Sequence, residues 1–260
     1  MRKIILLLMT LFLFSSVIAE PVQPENAEED IAVINDDLTI EPKKLNEEKP
    51  EIPYTISAAY PEIVGEKLPK GAEQFNQLIE QRIKTEVEQF KKYVKADMPH
   101  MDTLPDDVKK NTLNIDYDVT VLEPKKHTLI SVRLNTEGFQ AGRAHPYHKY
   151  ETITFDLTTA KTISLNELFK PNYLRMLADY SNKKLNETLK DKWMIDQGTK
   201  PKATNFKNWN LQSDNLLITF DEYQVAPYNF GAQEIEIPYS DLSKVISMKS
   251  VIATCVKEEC

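Results

Sequence analysis

The sequence predicts an α+β fold in which antiparallel sheets, built from hairpins, pack on two long helices. Three observations predict it. Apolar residues recur at helical spacing in two long stretches, around 75–94 and 174–189. Elsewhere the apolar residues alternate with polar ones in short runs, and tight turns join those runs. Finally, the strands come in hairpins instead of as strand–helix–strand crossovers, which places the chain outside the parallel α/β class.

The first element is not part of the fold. Arg2 and Lys3 precede an unbroken apolar run from Ile4 to Phe14, and Val17-Ile18-Ala19 follow. A charged start, an apolar centre and a small-residue end describe a secretory signal, with cleavage expected after Ala19. The apolar run is too short to span a bilayer, no later stretch reaches that length, and no cysteine stands at the cleavage point. The expected product is residues 20–260, periplasmic or secreted, with no transmembrane anchor after cleavage.

Residues 20–53 hold eleven acids, three lysines and five prolines, with no glycine and no aromatic residue. Such a stretch buries too little apolar surface to offset its ordering entropy, and it reads as an acidic disordered linker. Most of the negative charge sits here. The expected mature chain carries 30 basic and 40 acidic side chains, a net of −10, whereas residues 54–260 carry 27 and 29 and are nearly neutral. No polybasic stripe is present, so nucleic acid is not an expected partner.

The folded part is expected over 54–260, as one domain or as two packed subdomains, 54–135 and 136–250. Tyr54 to Tyr60 alternates as a strand and is expected to stop at Pro61. Phe75, Leu78, Ile79, Ile83, Val87, Phe90 and Val94 then mark one face of a long helix, with Glu80, Lys84, Glu88 and Lys91 pointing away. After a loop over 95–111, Leu113 to Val121 and Thr128 to Asn135 form a hairpin around Glu123-Pro124-Lys125-Lys126. A third strand runs from Tyr147 to Leu157, and the turn Thr158-Thr159-Ala160-Lys161 leads to a short fourth.

Ser164 stands three residues before Glu167, the capping-box spacing, and starts a short helix. Pro171 suits the first turn of the second long helix, whose face is Leu174, Leu177, Ala178, Ser181, Leu185 and Leu189. Trp209 to Leu211 and Leu216 to Phe220 flank Ser213-Asp214-Asn215 as a hairpin, and Gln233 to Pro238 forms the last strand.

Few residues carry chemistry. His145 and His148 lie in a glycine-punctuated stretch, but strand spacing would put them on opposite faces, so no metal site is expected. A phosphate cradle needs a helix after the glycines, and here a strand follows. Glu234 and Glu236 alternate with Ile235 and Ile237 and read as the solvent face of a strand. Asp221-Glu222 sits in a loop, and paired carboxylates of that kind keep open an alternative, a cell-wall carbohydrate hydrolase. A structural envelope protein without a ligand is a further alternative. Familiar hydrolase signatures are absent from the sequence, and no cofactor is expected.

The densest aromatic stretch, Phe220 to Gly231, holds Tyr223, Tyr228 and Phe230 beside Pro227. Exposed aromatics with polar tips suit binding hot spots, whereas buried ones are core. With the His145-Pro146-Tyr147 segment, these residues form the candidate binding surface. Cys255 and Cys260, in an oxidising compartment, are expected to form a local disulfide.

Several of these stretches resemble a known family. Gly142-Arg143-Ala144-His145-Pro146, Thr152 to Leu157, Ile163 to Phe169, Asn205-Phe206, and Asp221 to Tyr228 with Gly231 resemble the extracellular domain of RsiV-type anti-sigma factors. That domain, of unknown function in general, is shared with N-terminal regions of some peptidoglycan deacetylases, and the likeness spans about residues 54–245. The resemblance implies an α+β fold of antiparallel strands packed on helices, and a domain that binds lysozyme. Neither an anti-sigma segment nor a deacetylase domain is expected from these residues. The resemblance therefore implies an exported, non-catalytic binding module of the cell envelope, whose partner is a lysozyme-like muramidase or a cell-wall glycan.

Overall fold

The computed structural model describes residues 32–49, 53–105, 108–256 and 260. The expected signal, residues 1–19, and the start of the expected linker lie outside the described residues. The chain is a mixed α/β structure with one large sheet, one small sheet and several helices.

The expected linker is corrected by the structure. Ala32–Asn35 (β1) and Leu38–Lys49 (β2) form a hairpin, and β2 pairs from Thr39 to Lys49 with Tyr54–Val64 (β3). Ile34, Leu38 and Ile40 are buried, so three aliphatics in an acidic stretch join the core that also holds residues of β3 and of the helix that follows it. The third strand also passes through Pro61. Its pairing with the next strand ends at Ala58, so the missing N–H costs nothing on that side.

After β3 comes Lys70–Met101 (α1), and Asn111–Leu122 (β4) then returns parallel to β3, with Tyr54 opposite Asn111 and Ala58 opposite Ile115. This is a strand–helix–strand crossover, contrary to the expectation of hairpins alone. The helix also runs on through residues expected to be loop, with Pro99 inside its last turn. Leu129–Phe139 (β5), Tyr147–Asp156 (β6) and Lys161–Ile163 (β7) complete a seven-stranded sheet in sequence order. Because β5 runs past residue 135 and β6 joins the same sheet, a subdomain boundary at 135/136 does not follow the architecture.

Two cores result. One face of the large sheet packs on α1, where Phe75, Ile79, Ile83, Val87, Phe90 and Val94 meet Ile56, Leu113, Ile130, Val132, Ile153 and Phe155. The second core gathers Leu165–Leu168 (α2), Tyr173–Thr188 (α3), Lys192–Gly198 (α4), Trp209–Leu211 (β8), Asn215–Phe220 (β9), Gln233–Pro238 (β10) and Tyr239–Leu242 (α5). The strands β8, β9 and β10 form a separate antiparallel sheet with β9 central. Ser164 N donates to Glu167 Oε2 at 2.7 Å, closing the capping box at the start of α2. Cys255 and Cys260 are bonded, with their Cα atoms 5.0 Å apart.

The small sheet docks on the other face of the large one through polar groups. Trp209 N donates to Thr152 Oγ1 at 3.1 Å, and Leu211 N and Asn210 Nδ2 both donate to Ser131 Oγ, at 2.9 and 3.1 Å. Arg133 crosses the junction: its guanidinium donates to Asp118 on β4, Thr219 on β9 and Glu234 on β10, and lies 5.7 Å from the centre of the Tyr150 ring. Hence the position of β9, and of the loop that follows it, is set from β5.

At the far end of β6, Asp156 is only 2% exposed. Burial alone would push its carboxyl up, but hydrogen bonds from Thr159 and His127 outweigh burial and hold it below the usual range. A depressed folded value means stability that is present above the ordinary carboxyl value of about 4 and lost as pH falls through the lower folded one. Asp156→Asn is therefore expected to cost about 1–3 kcal/mol near neutrality and to flatten the loss of stability below about pH 4. Urea midpoints of both proteins between pH 7 and pH 3 check this; identical pH profiles would contradict it.

Candidate functional site

The two loops singled out in the sequence meet in space. The first lies between β5 and β6. Ala141 N donates to Asn111 Oδ1 at 3.0 Å, which ties the loop to the start of β4. Gly142 follows with φ of +74°, a conformation that favours glycine, with Leu104 beside it. Beyond that turn the loop presents His145 and Pro146.

The second loop leaves β9 at Phe220. Asp221 is held at its base by Lys207 at 2.7 Å and by Asn208, whose Nδ2 donates to Asp221 Oδ1 at 2.8 Å. Gln224 Nε2 donates to the carbonyls of Gly198 and Asn205, at 3.0 and 2.9 Å. Val225 and Ala226 are buried in the second core. Pro227 then leads into a single 3-10 turn, Tyr228–Phe230, and Gly231 closes it with φ of +66°. Anchored on both sides in this way, Tyr223 is thrown outward with φ of +61°. A non-glycine residue persists in that region only where its surroundings over-determine it, and such residues gather at functional sites.

Tyr228 joins the loops. Its hydroxyl donates to Pro146 O at 3.0 Å, and its ring stacks on His145 with centroids 3.9 Å apart and on Tyr223 at 5.7 Å. His145, Tyr228 and Tyr223 thus form a column of three rings centred on Tyr228; Tyr223 is 56% exposed, and His145 is exposed as well. Phe230 is exposed nearby in sequence at 53%, and Pro227 is half-buried. Below the column, His148 has Glu222 Oε1 2.6 Å from Nδ1 and Glu137 Oε2 3.3 Å from Nε2. Partial burial, with the charges of Glu222 and Glu137 close by, raises the Tyr228 phenol.

Of the residues expected at the surface, His145, Pro146, Tyr223 and Tyr228 are brought together, and Pro227 and Phe230 flank them. Tyr147 is not, and the expectation for it is corrected. It shares the face of β6 that carries Lys149 and Glu151, which pair with Glu86 and Arg82 of α1, and its ring lies across Gly138. A second correction concerns the histidines. His145 precedes the strand, so strand alternation does not apply to it, and both His145 and His148 meet the second loop.

Three residues were missed in the sequence. Gln224 is the bracket that fixes the loop; a long amide between an exposed tyrosine and two buried residues was the available signal. Gly198 admits that bracket, and Glu137 faces His148 only through strand pairing. Asp221 and Glu222, weighed as catalytic carboxylates, are engaged with Lys207 and Asn208 and with His148. Among the described residues, no group of three or more His, Cys, Asp or Glu is placed to hold a metal ion. Among the same residues, no helix is long and apolar enough to cross a membrane.

Comparison with known proteins places this architecture. Residues 166–240 match the family described as "Protein of unknown function (DUF3298)". The chain is 27% identical over 199 residues to the peptidoglycan-N-acetylmuramic acid deacetylase PdaC of Bacillus subtilis (strain 168), an alignment covering 74% of this chain and 39% of that protein. It is 28% identical over 149 residues to the anti-sigma-V factor RsiV of the same organism, covering 53% of this chain and 50% of that protein. The chain therefore spans no more than half the length of these curated relatives. Two crystal structures share the fold. A DUF3298 family member from Bacteroides fragilis NCTC 9343 superposes with a TM-score of 0.61 at 20% identity, covering 85% of this chain and 97% of that one. A DUF3298 family protein from Pseudomonas aeruginosa PAO1 does so with a TM-score of 0.54 at 18% identity, covering 83% and 97%.

Proposed function

Starting from a DUF3298 domain at residues 166–240, shared with an anti-sigma factor and a peptidoglycan deacetylase, we propose that this chain is an exported, non-catalytic binding module of the cell envelope. Its ligand is a lysozyme-like muramidase, docked on the surface where the two loops join. The observation that carries this reading is the ring column: two loops distant in sequence are locked together by Tyr228, and the lock serves to hold Tyr223 out in solvent. A rigid aromatic held outward on an anchored loop is the anatomy of a binding hot spot. Two further points support it. Asp221 and Glu222, the carboxylates weighed for catalysis, are committed to ion pairs and hydrogen bonds, and the resemblance to RsiV-type domains implies lysozyme as the partner. Export is read from residues 1–19, and a periplasmic or secreted location follows from it.

The test is inhibition of a c-type lysozyme on cell walls by residues 20–260. Inhibition is expected to survive Asp221→Asn, whose side-chain oxygen can still accept from Asn208 Nδ2 at the base of the loop, and to weaken at least about tenfold with Tyr228→Ala, the effect of truncating one hot-spot aromatic. Release of wall fragments by the protein alone, abolished by Asp221→Asn, would establish the hydrolase instead. Binding to isolated glycan without any effect on lysozyme would move the ligand from the enzyme to its substrate.

A further inference from the structure

Resting on that reading of the surface, we infer that the ring column takes an arginine side chain from its protein partner, the guanidinium lying on the outer face of Tyr223 with Glu137 as its counter-charge. The stack is open where Tyr223 stands, more than half exposed; His145, which stacks on Tyr228, is exposed as well. A tyrosine face is the negative side of the ring quadrupole and attracts a cation, and a planar guanidinium both stacks on a ring and forks onto a carboxylate.

The surrounding charge selects the same chemistry. Glu137 and Glu222 flank the column and act together on the Tyr228 phenol. Against these two carboxylates stand two imidazoles, His148 between them and His145 in the stack, so the cluster is net negative whenever either ring is neutral. Glu137 is half exposed and leaves one oxygen free of His148. Of the other cations near the loops, Lys207 is paired with Asp221, while the exposed Arg143 donates to the Tyr93 hydroxyl and keeps its charge. The two carboxylates disfavour muropeptides, which carry peptide carboxylates, and favour a basic side chain.

The experiment follows the tyrosine ring signals by NMR while residues 20–260 are titrated with N-acetylargininamide, and in parallel with N-acetyllysinamide and a soluble muropeptide. Saturable shifts of Tyr223 and Tyr228 are expected with the arginine probe, weaker ones with lysine and none with the muropeptide. Tyr223→Phe should retain the arginine effect, Tyr223→Leu should remove it, and Glu137→Gln should weaken it by about fivefold, the scale of one exposed cation–π or charge contact. Ring shifts with the muropeptide alone, or no shift with any probe, would overturn the inference. Arginine binding in a protein that leaves lysozyme unaffected would keep this chemistry and retire lysozyme as the partner, so the two failures are distinguishable.

Discussion

Phe75→Ala is expected to lower the stability of the folded chain by about 3–5 kcal/mol, the cost of deleting a fully buried aromatic that its surroundings do not refill. Phe75 is 0% exposed on the inner face of α1, and it meets Phe155 of β6 edge to face, with centroids 5.8 Å apart. The two rings connect the crossover helix to the strand farthest from β3 in the first core, so the cavity cannot close by a shift of one neighbour. A site on the opposite face of the same helix gives the control. Lys84 pairs with Glu80 in solvent, and Lys84→Ala should change stability by no more than about 0.5 kcal/mol. Denaturant titration of both variants checks the pair; a small effect at Phe75 would mean that the helix is not seated on the sheet as described.

Gly198→Ala is the second large effect, and it acts on the site. A Cβ at this position would stand 2.1 Å from Gln224 O and 2.6 Å from Val225 Cγ1. The first of these atoms is backbone in the very loop that presents Tyr223, so the loop has to move. Overpacking of this kind costs about 1–3 kcal/mol, and the displaced bracket should weaken ligand binding by at least about tenfold even where the protein remains folded. Gly231 supplies the contrast. Unlike the helical Gly198 it has a positive φ, but nothing lies within 4 Å of a Cβ there, so Gly231→Ala should cost about 1 kcal/mol of backbone strain and leave Gln224 in place. Calorimetric unfolding and binding, measured on both variants, separate stability from presentation. Unchanged binding by Gly198→Ala would sever the proposed link between α4 and the surface.

How far the sequence showed this architecture depended on whether a segment's partners were local. Hairpin β8–β9 and strand β10 were readable almost to the residue, because the turn residues Ser213-Asp214-Asn215 and the alternation of Glu234 and Glu236 with Ile235 and Ile237 are local signals. The capping box at Ser164 was readable for the same reason. Strand β2 was not, because Leu38 and Ile40 gain their burial from a core assembled by distant segments, and composition averaged over an acidic stretch hides two aliphatics. The parallel pairing of β3 with β4 was equally hidden. It joins residues on either side of a 32-residue helix, and nothing in either strand marks the direction of its partner.

The site divided along similar lines. Both loops stood out by glycine and aromatic content, and Tyr228 and His145 could be named as surface residues. Their stacking could not, since it depends on Arg133 and the hydroxyls of Ser131 and Thr152 seating one sheet on the other. Tyr147 was misplaced although alternation along β6 already assigned it to the helix side, with Lys149 and Glu151.

The most direct test of the central claim is calorimetric titration of residues 20–260 with a c-type lysozyme, with muramidase activity measured on the same mixtures. Saturable binding, with activity falling in proportion to the complex formed, is the result expected of a surface built from the two joined loops. No heat of binding at high micromolar concentrations of both proteins, with muramidase activity intact, would contradict it.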